Sequence, residues 1–370
     1  MNNTPRHLDF IDALRAMAIL GVMTVHTAQW IPPASETLRN ITAEGARGVQ
    51  LFFIVSAMTI FMSMQSRLGS EANPIRNFYI RRFFRIAPLF YLAIIIWLFL
   101  QGFSARYWAP NGINGWTIFL TATFLHGFHP ETITALVPGG WSIAVEMTFY
   151  LLAPLLFLRL NNTRKILILL GTCLFFNVFI SIIIKNYFLK FYDEKNIYIV
   201  NNYLFLYFLS QISVFLIGII LFYHKNYKFS RAISYIFIAT TIFLWFIIFN
   251  FKISNRFLPH HVIYAISFVP LIFAISVNRI KFLVNPLICA LGKVSFSLYI
   301  FHFVVLHLLQ NNVFPDGFSI QGNWGFAAAW LLVVLISTMI SLLSYRYIER
   351  PGIALGNDLI NHLERHKKIC

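Results

Sequence analysis

Acidic residues are scarce in this chain. Asp and Glu number 13 against 29 Lys and Arg, and the four together make up only 11% of 370 residues. A soluble globular domain carries roughly 25% charged residues, so the shortage excludes that class and points to a membrane protein. Hydrophobic residues reach 58%. A net charge of +16 would suggest nucleic acid in a soluble chain. In this composition it is assigned to basic loops on the cytoplasmic face, and no nucleic-acid partner is expected. Cysteine is sparse too. Cys173 and Cys289 fall in apolar stretches and Cys370 is terminal, which leaves no disulfide framework and no metal set. An inverted repeat of the transporter kind is missing, as is any low-complexity tract. No small-residue cleavage site follows the first apolar stretch, which is therefore read as a retained helix.

What the chain does have is apolar runs. Ten are long enough to cross a bilayer at about 20 residues per span: 8–30, 46–65, 84–103, 140–159, 165–185, 203–223, 232–250, 261–278, 286–311 and 324–345. Segment 113–125 is apolar but short, and reads as an interfacial or re-entrant piece. The expected fold class is all-α, a polytopic membrane helix bundle of about ten transmembrane helices plus that short helix. Residues 1–350 are expected to form a single transmembrane domain and 351–370 a short basic cytoplasmic tail. With the N-terminus inside, the inner segments hold 19 basic residues and the outer ones 8, with Arg15 and Lys293 within spans. That asymmetry places both termini in the cytoplasm. Ile-, Asn- and Lys-rich usage suggests a bacterial inner membrane.

The first span carries Asp12, Arg15 and His26. Ionisable groups inside a span are costly and are read by default as functional. Arg15 and His26 are eleven residues apart, close to three helical turns, so they share a face roughly 16 Å apart along the axis. Asp12 and Arg15, at i, i+3, can pair. The alternative is a snorkelling arginine and a packed core histidine. Glu146 and His302 also fall in the outer half of their spans, and Arg81, Arg82 and Arg85 lie at the inner end of span 3. Lys293 either faces the bundle interior or snorkels inward. Aromatic residues of the 104–139 loop, such as Trp108 and Trp116, are read as interface anchors before sugar-stacking platforms.

Five motifs in order give the chain a resemblance to membrane-bound acyltransferases of the acyltransferase-3 type, which O-acetylate bacterial surface polysaccharides. They are Arg15 and His26 within IDALRAMAILGVMTVH; GVQLFFIVSAM at 48–58; Arg82 and Arg85 in RRFFRIAP; Trp141, Ser142 and Glu146 in WSIAVEMTFY; and GKVSFSLYIFH ending at His302. A terminal YRYIERP segment also fits. The chain departs from the pattern at Ala57, where a glycine is usual, at Met147, where many members have a second acid, and at Val304, where a proline is usual.

That resemblance implies acetyl-CoA as cytoplasmic donor and a cell-surface polysaccharide or lipid-linked sugar as acceptor, within membrane lipid. Arg82 and Arg85, with Arg81 assisting, would meet the CoA phosphates through their planar forks. The alternative is ordinary positive-inside residues. His26 is the candidate general base for a sugar hydroxyl, since an unperturbed imidazole titrates near 6.5. An acyl-His26 intermediate is the other chemical route. Glu146 either orients His26 or forms a structural ion pair, and Arg15 either holds the donor or locks span 1 through Asp12. His302 lines the acceptor path, binds near the thioester, or is a hydrogen-bonded core residue. Trp141 and Ser142 either shape the acceptor mouth or act as interfacial anchor and helix cap. A competing class is a proton-coupled transporter or flippase of a lipid-linked sugar, which intramembrane Arg, His and Glu suit equally well.

Overall fold

A computed structural model of the chain describes residues 9–251, 258–314 and 320–367. Among these residues every regular element is helical. In order they are α1 (Asp9–Trp30), α2 (Glu36–Ala43), α3 (Gly48–Arg67), α4 (Pro74–Gln101), α5 (Gly115–Ala122), α6 (Gly140–Arg159), α7 (Thr163–Phe188), α8 (Ile197–Leu206), α9 (Phe208–Tyr223), α10 (Arg231–Phe251), α11 (His260–Val277), α12 (Pro286–Lys293), α13 (Ser295–Leu308), α14 (Gly322–Ser344) and α15 (Arg350–Lys367). Ten helical stretches are long and apolar enough to cross a membrane, as the apolar runs imply. The short 113–125 segment forms the two-turn α5.

Four boundaries differ from the apolar runs. Helix α4 begins ten residues earlier, with Pro74 in its first turn, where the missing N–H costs nothing. Arginines at 76, 81 and 82 cut short the hydrophobic run there without breaking the helix. The ninth run divides at Val294 into α12 and α13, so Lys293 is the exposed last residue of a short helix. The sixth breaks at Tyr207, whose backbone is extended. The last continues from α14 through a π-helical turn, Tyr345–Glu349, into α15.

The chain forms two compact units. One comprises Met1–Thr59 and Leu221–Leu343, the other Ile60–Ile220 and Ser344–Cys370. The first is built on α1, whose inward face of Ala13, Leu14, Ala16, Ala18, Ile19, Val22 and Met23 is essentially sealed. Small residues allow helix backbones to touch, and two motif glycines do so here. A Cβ on Gly48 would sit 2.2 Å from the Ala18 carbonyl oxygen, and one on Gly292 would sit 1.9 Å from that of Asp12. The glycines of the GVQLFF and GKVSFS motifs are thus the contact points of α3 and α12 with α1. Asp9 pairs with Arg279 at 3.6 Å, and the Cys289 thiol donates to the Asp9 carbonyl. At the other end of α1, Trp330 Nε1–H donates to Thr24 Oγ1 at 2.9 Å.

In the second unit α15 lies along α4. Gly352, Gly356 and Ile360 recur every four residues and are buried, so one stripe of α15 faces inward. A Cβ on Gly352 would come within 2.9 Å of Phe84 O, and one on Gly356 within 2.8 Å of Phe84 Cβ. Glu364 fastens the far end. It accepts from the Ala72 and Asn73 backbone N–H groups at 3.1 and 3.4 Å and from Asn77 Nδ2 at 2.7 Å. Ala72 and Asn73 immediately precede α4, and Asn77 lies in its first turn. The loop before α6 is held by His126, whose Nε2–H donates to the Gly140 carbonyl at 3.0 Å and whose ring stacks on Phe90. Burial lowers this imidazole to about 4, against the raising effect of its backbone hydrogen bonds, so it is neutral at physiological pH.

Candidate active site

His26 lies one turn from the end of α1 and is half-buried. Its Nδ1 is 2.9 Å from Gln29 Oε1. An amide oxygen only accepts, so Nδ1 carries the proton and Nε2 holds the basic lone pair. This i, i+3 contact was available in the sequence as His-x-x-Gln. Beside it, His302 of α13 is fully buried with its ring centroid 5.5 Å from that of His26. His302 Nδ1–H donates to the Leu298 carbonyl at 2.9 Å. Its Nε2 has no hydrogen-bond partner among the described residues. Phe303 packs on both imidazoles, at 4.5 and 4.1 Å. The structure therefore brings His26 and His302 together on α1 and α13. Arg15 sits three turns below His26, 3.8 Å from the buried carboxylate of Asp12.

The arginines gather in the second unit. Arg67, Arg81, Arg82 and Arg85 line a cavity of about 240 Å³, together with Ser63, Ile353 and Asn357. The four guanidinium groups do not share one environment. Arg81 grips Glu71 with both ends of its fork, at 2.8 and 2.9 Å, and Arg67 adds a third bond at 2.9 Å. Asn77 Nδ2 donates to the other oxygen at 3.1 Å. Burial opposes ionisation of Glu71, yet the hydrogen bonds from Arg81, Arg67 and Asn77 outweigh it and hold the carboxyl below its usual range. A depressed folded value means that Glu71 stabilises the fold above the ordinary carboxyl range and ceases to as pH falls through the lower value. Glu71→Gln is therefore expected to flatten the loss of Tm below about pH 4, read from a thermal melt against pH.

Arg82 lies 5.5 Å from the ring centroids of both Phe78 and Tyr150, an arrangement that fixes the guanidinium by cation–π attraction. Among the described residues neither Arg82 nor Arg85 makes a salt bridge, and Arg82 Nε is buried without a hydrogen-bond partner. An orphaned buried donor in an arginine-lined cavity fits an anion. Tyr150 O–H donates to Glu146 Oε1 at 2.6 Å, and Glu146 and Tyr150 are both electrostatic neighbours of Arg82. Tyr150 and Glu71 were not singled out in the sequence. Their signals were the i, i+4 spacings Glu146–Tyr150 and Arg67–Glu71.

Trp141 and Ser142 open α6. Trp141 packs on the cluster of Ile133, Tyr203, Leu206 and Tyr207. Ser142 is buried and its hydroxyl donates to the Gly139 carbonyl at 3.0 Å. The N-cap of α6 is Gly139, with φ 74° and no side-chain cap, so Ser142 does not fill that position.

Ten candidate spans among the described residues, whose regular elements are all helical, define a multi-pass membrane protein. The acyltransferase domain of the acyltransferase-3 family matches residues 8–346, and the chain belongs to that family. It is similar to O-acetyltransferase OatA of Staphylococcus aureus, at 25% identity over 94% of this chain and 57% of the relative. A second Staphylococcus aureus protein, the provisionally named O-acetyltransferase SACOL0978, is 24% identical over 96% of this chain and 59% of its own length. The chain thus spans rather more than half the length of these curated relatives. No solved structure gives a significant match.

Proposed function

We propose that the protein is a membrane O-acyltransferase that moves an acetyl group from cytoplasmic acetyl-CoA to a hydroxyl of a cell-surface glycan or lipid-linked sugar. The observation that carries this reading is the state of His26, an accessible imidazole whose Nδ1 is committed to Gln29 and whose Nε2 is left basic. A sugar hydroxyl is a poor nucleophile until a base takes its proton. His26 Nε2 accepts that proton as the hydroxyl oxygen bonds to the thioester carbonyl carbon. The C–S bond then breaks, the departing thiolate takes up a proton, and the acetyl ester remains on the sugar. Gln29 fixes the tautomer as the carboxylate does in a hydrolase triad, the task the sequence had offered to Glu146. Glu146 is assigned instead to hold Tyr150 beside Arg82. Arg82 and Arg85 bind the donor's phosphates, while His302 packs beside the base. Arg15 is assigned to lock α1 through Asp12.

The test is transfer of radiolabelled acetyl from acetyl-CoA to isolated surface glycan by membranes containing the full chain. Labelled glycan that depends on the chain is the expected result. Accumulation of lipid-linked sugar in sealed vesicles with no acyl donor, and no labelling, would establish transport instead.

A further inference from the structure

The arginine cavity has a wall that the family match does not include. The match ends at residue 346, whereas Ile353 and Asn357 of α15 line the cavity together with Arg82 and Arg85 of α4. These two residues follow Gly352 and Gly356, the positions that bring α15 onto Phe84. The register of α15 is therefore set by backbone contact, and that register turns the next residue of each turn to the cavity. A chain of hydrogen bonds ties the same helix to the cavity's cations. Glu364 accepts from Asn77, Asn77 donates to Glu71, and Glu71 holds Arg81 and Arg67.

We propose that α15 is the closing wall of the donor site and that Asn357 is a binding residue for the phosphate end of the acyl donor. This rests on the acyl-CoA reading above and extends it to a part of the chain outside the family match. The chemistry is that of an anion cavity. Four guanidinium groups line it, two of them engaged by the Glu71 carboxylate. Asn357 is exposed and makes no hydrogen bond within the described residues that would commit its amide. Its Nδ2–H groups can donate to a phosphate oxygen held among the arginines. Size narrows the ligand. A site that takes a whole drug-sized molecule holds roughly 300–1,000 Å³, so 240 Å³ suits a phosphate or diphosphate group with the remainder of the donor outside. Ile353, one turn earlier, offers apolar contact to that remainder. The Glu364–Asn77–Glu71 chain is the positioning device, holding α15 and the arginines at fixed separation.

The experiment is titration of the full-length chain in lipid nanodiscs with coenzyme A and, separately, with pantetheine, which lacks the nucleotide phosphates. Asn357→Leu is expected to weaken coenzyme A binding about tenfold, the loss of a hydrogen bond to a charged group, and to leave pantetheine binding unchanged. Asn357→Gln, which keeps the amide, is expected to bind coenzyme A within about threefold of the parent chain. Exposure of residue 357 leaves the fold intact in both variants, which equal melting temperatures will register. If Asn357→Leu binds coenzyme A as the parent does while Arg85→Ala binds it weakly, α15 is not part of the site and the acyl-CoA reading stands. If the parent chain itself binds no coenzyme A, both fall.

Discussion

His26→Ala is expected to lower acetyl transfer by roughly 10²–10⁴-fold, the range that a positioned general base contributes, while coenzyme A binding stays within about twofold. The separation follows from where the groups lie. His26 contacts Gln29, His302 and Phe303, all in the first compact unit. The arginine cavity is lined wholly by residues of the second. Single-turnover transfer and equilibrium binding, measured on the same preparation, distinguish a base from a donor contact. A loss of coenzyme A affinity equal to the loss of rate would show that His26 holds the donor rather than moving its proton. Gln29→Leu is the companion variant. It leaves Nε2 in place but frees Nδ1, so the rate should fall less than in His26→Ala, and the pH–rate profile should shift. An unchanged profile would remove Gln29 from the mechanism.

The second large effect is expected at the cavity. Replacing Arg82 with Lys and Arg85 with Ala together should raise the KM for acetyl-CoA about 100-fold, with the rate at saturation little changed. Each lost charge-assisted bond to a phosphate is worth about 1.5–3 kcal/mol, and every 1.4 kcal/mol is tenfold in affinity. Lysine at 82 keeps the charge and much of the packing between Phe78 and Tyr150. It forfeits the planar fork that makes arginine suited to phosphate. Initial rates across acetyl-CoA concentrations, at two salt concentrations, provide the check. If KM stays at the parent value, these arginines are ordinary positive-inside residues. By contrast, removing Arg81 should cost stability through Glu71 more than donor affinity, because its fork is already engaged.

Much of the architecture was legible in advance. Hydrophobic length alone marks ten spans because a helix must satisfy its own backbone in lipid, and roughly 20 residues are needed to cross. Pattern failed where charge and apolarity mix. Arginines on the first turns of α4 hid its true start at Pro74. The ninth run concealed a break at Val294, because Leu, Ile and Val continue through it. Motif glycines were visible as letters. Their purpose, backbone contact at Ala18 and Asp12, is a property of two helices and cannot be read from either alone.

Composition, apolar run length and ordered motifs determined the class of protein, the family and most of the residues worth testing. They could do so because spanning length and short-range helical spacing are local properties of the chain. The tertiary structure decided which of those residues meet. It set His302 against His26 across α1 and α13, and folded residues 350–367 onto α4 beside the arginines. Contacts between residues more than 200 positions apart depend on close packing of whole helices, and no local pattern encodes that.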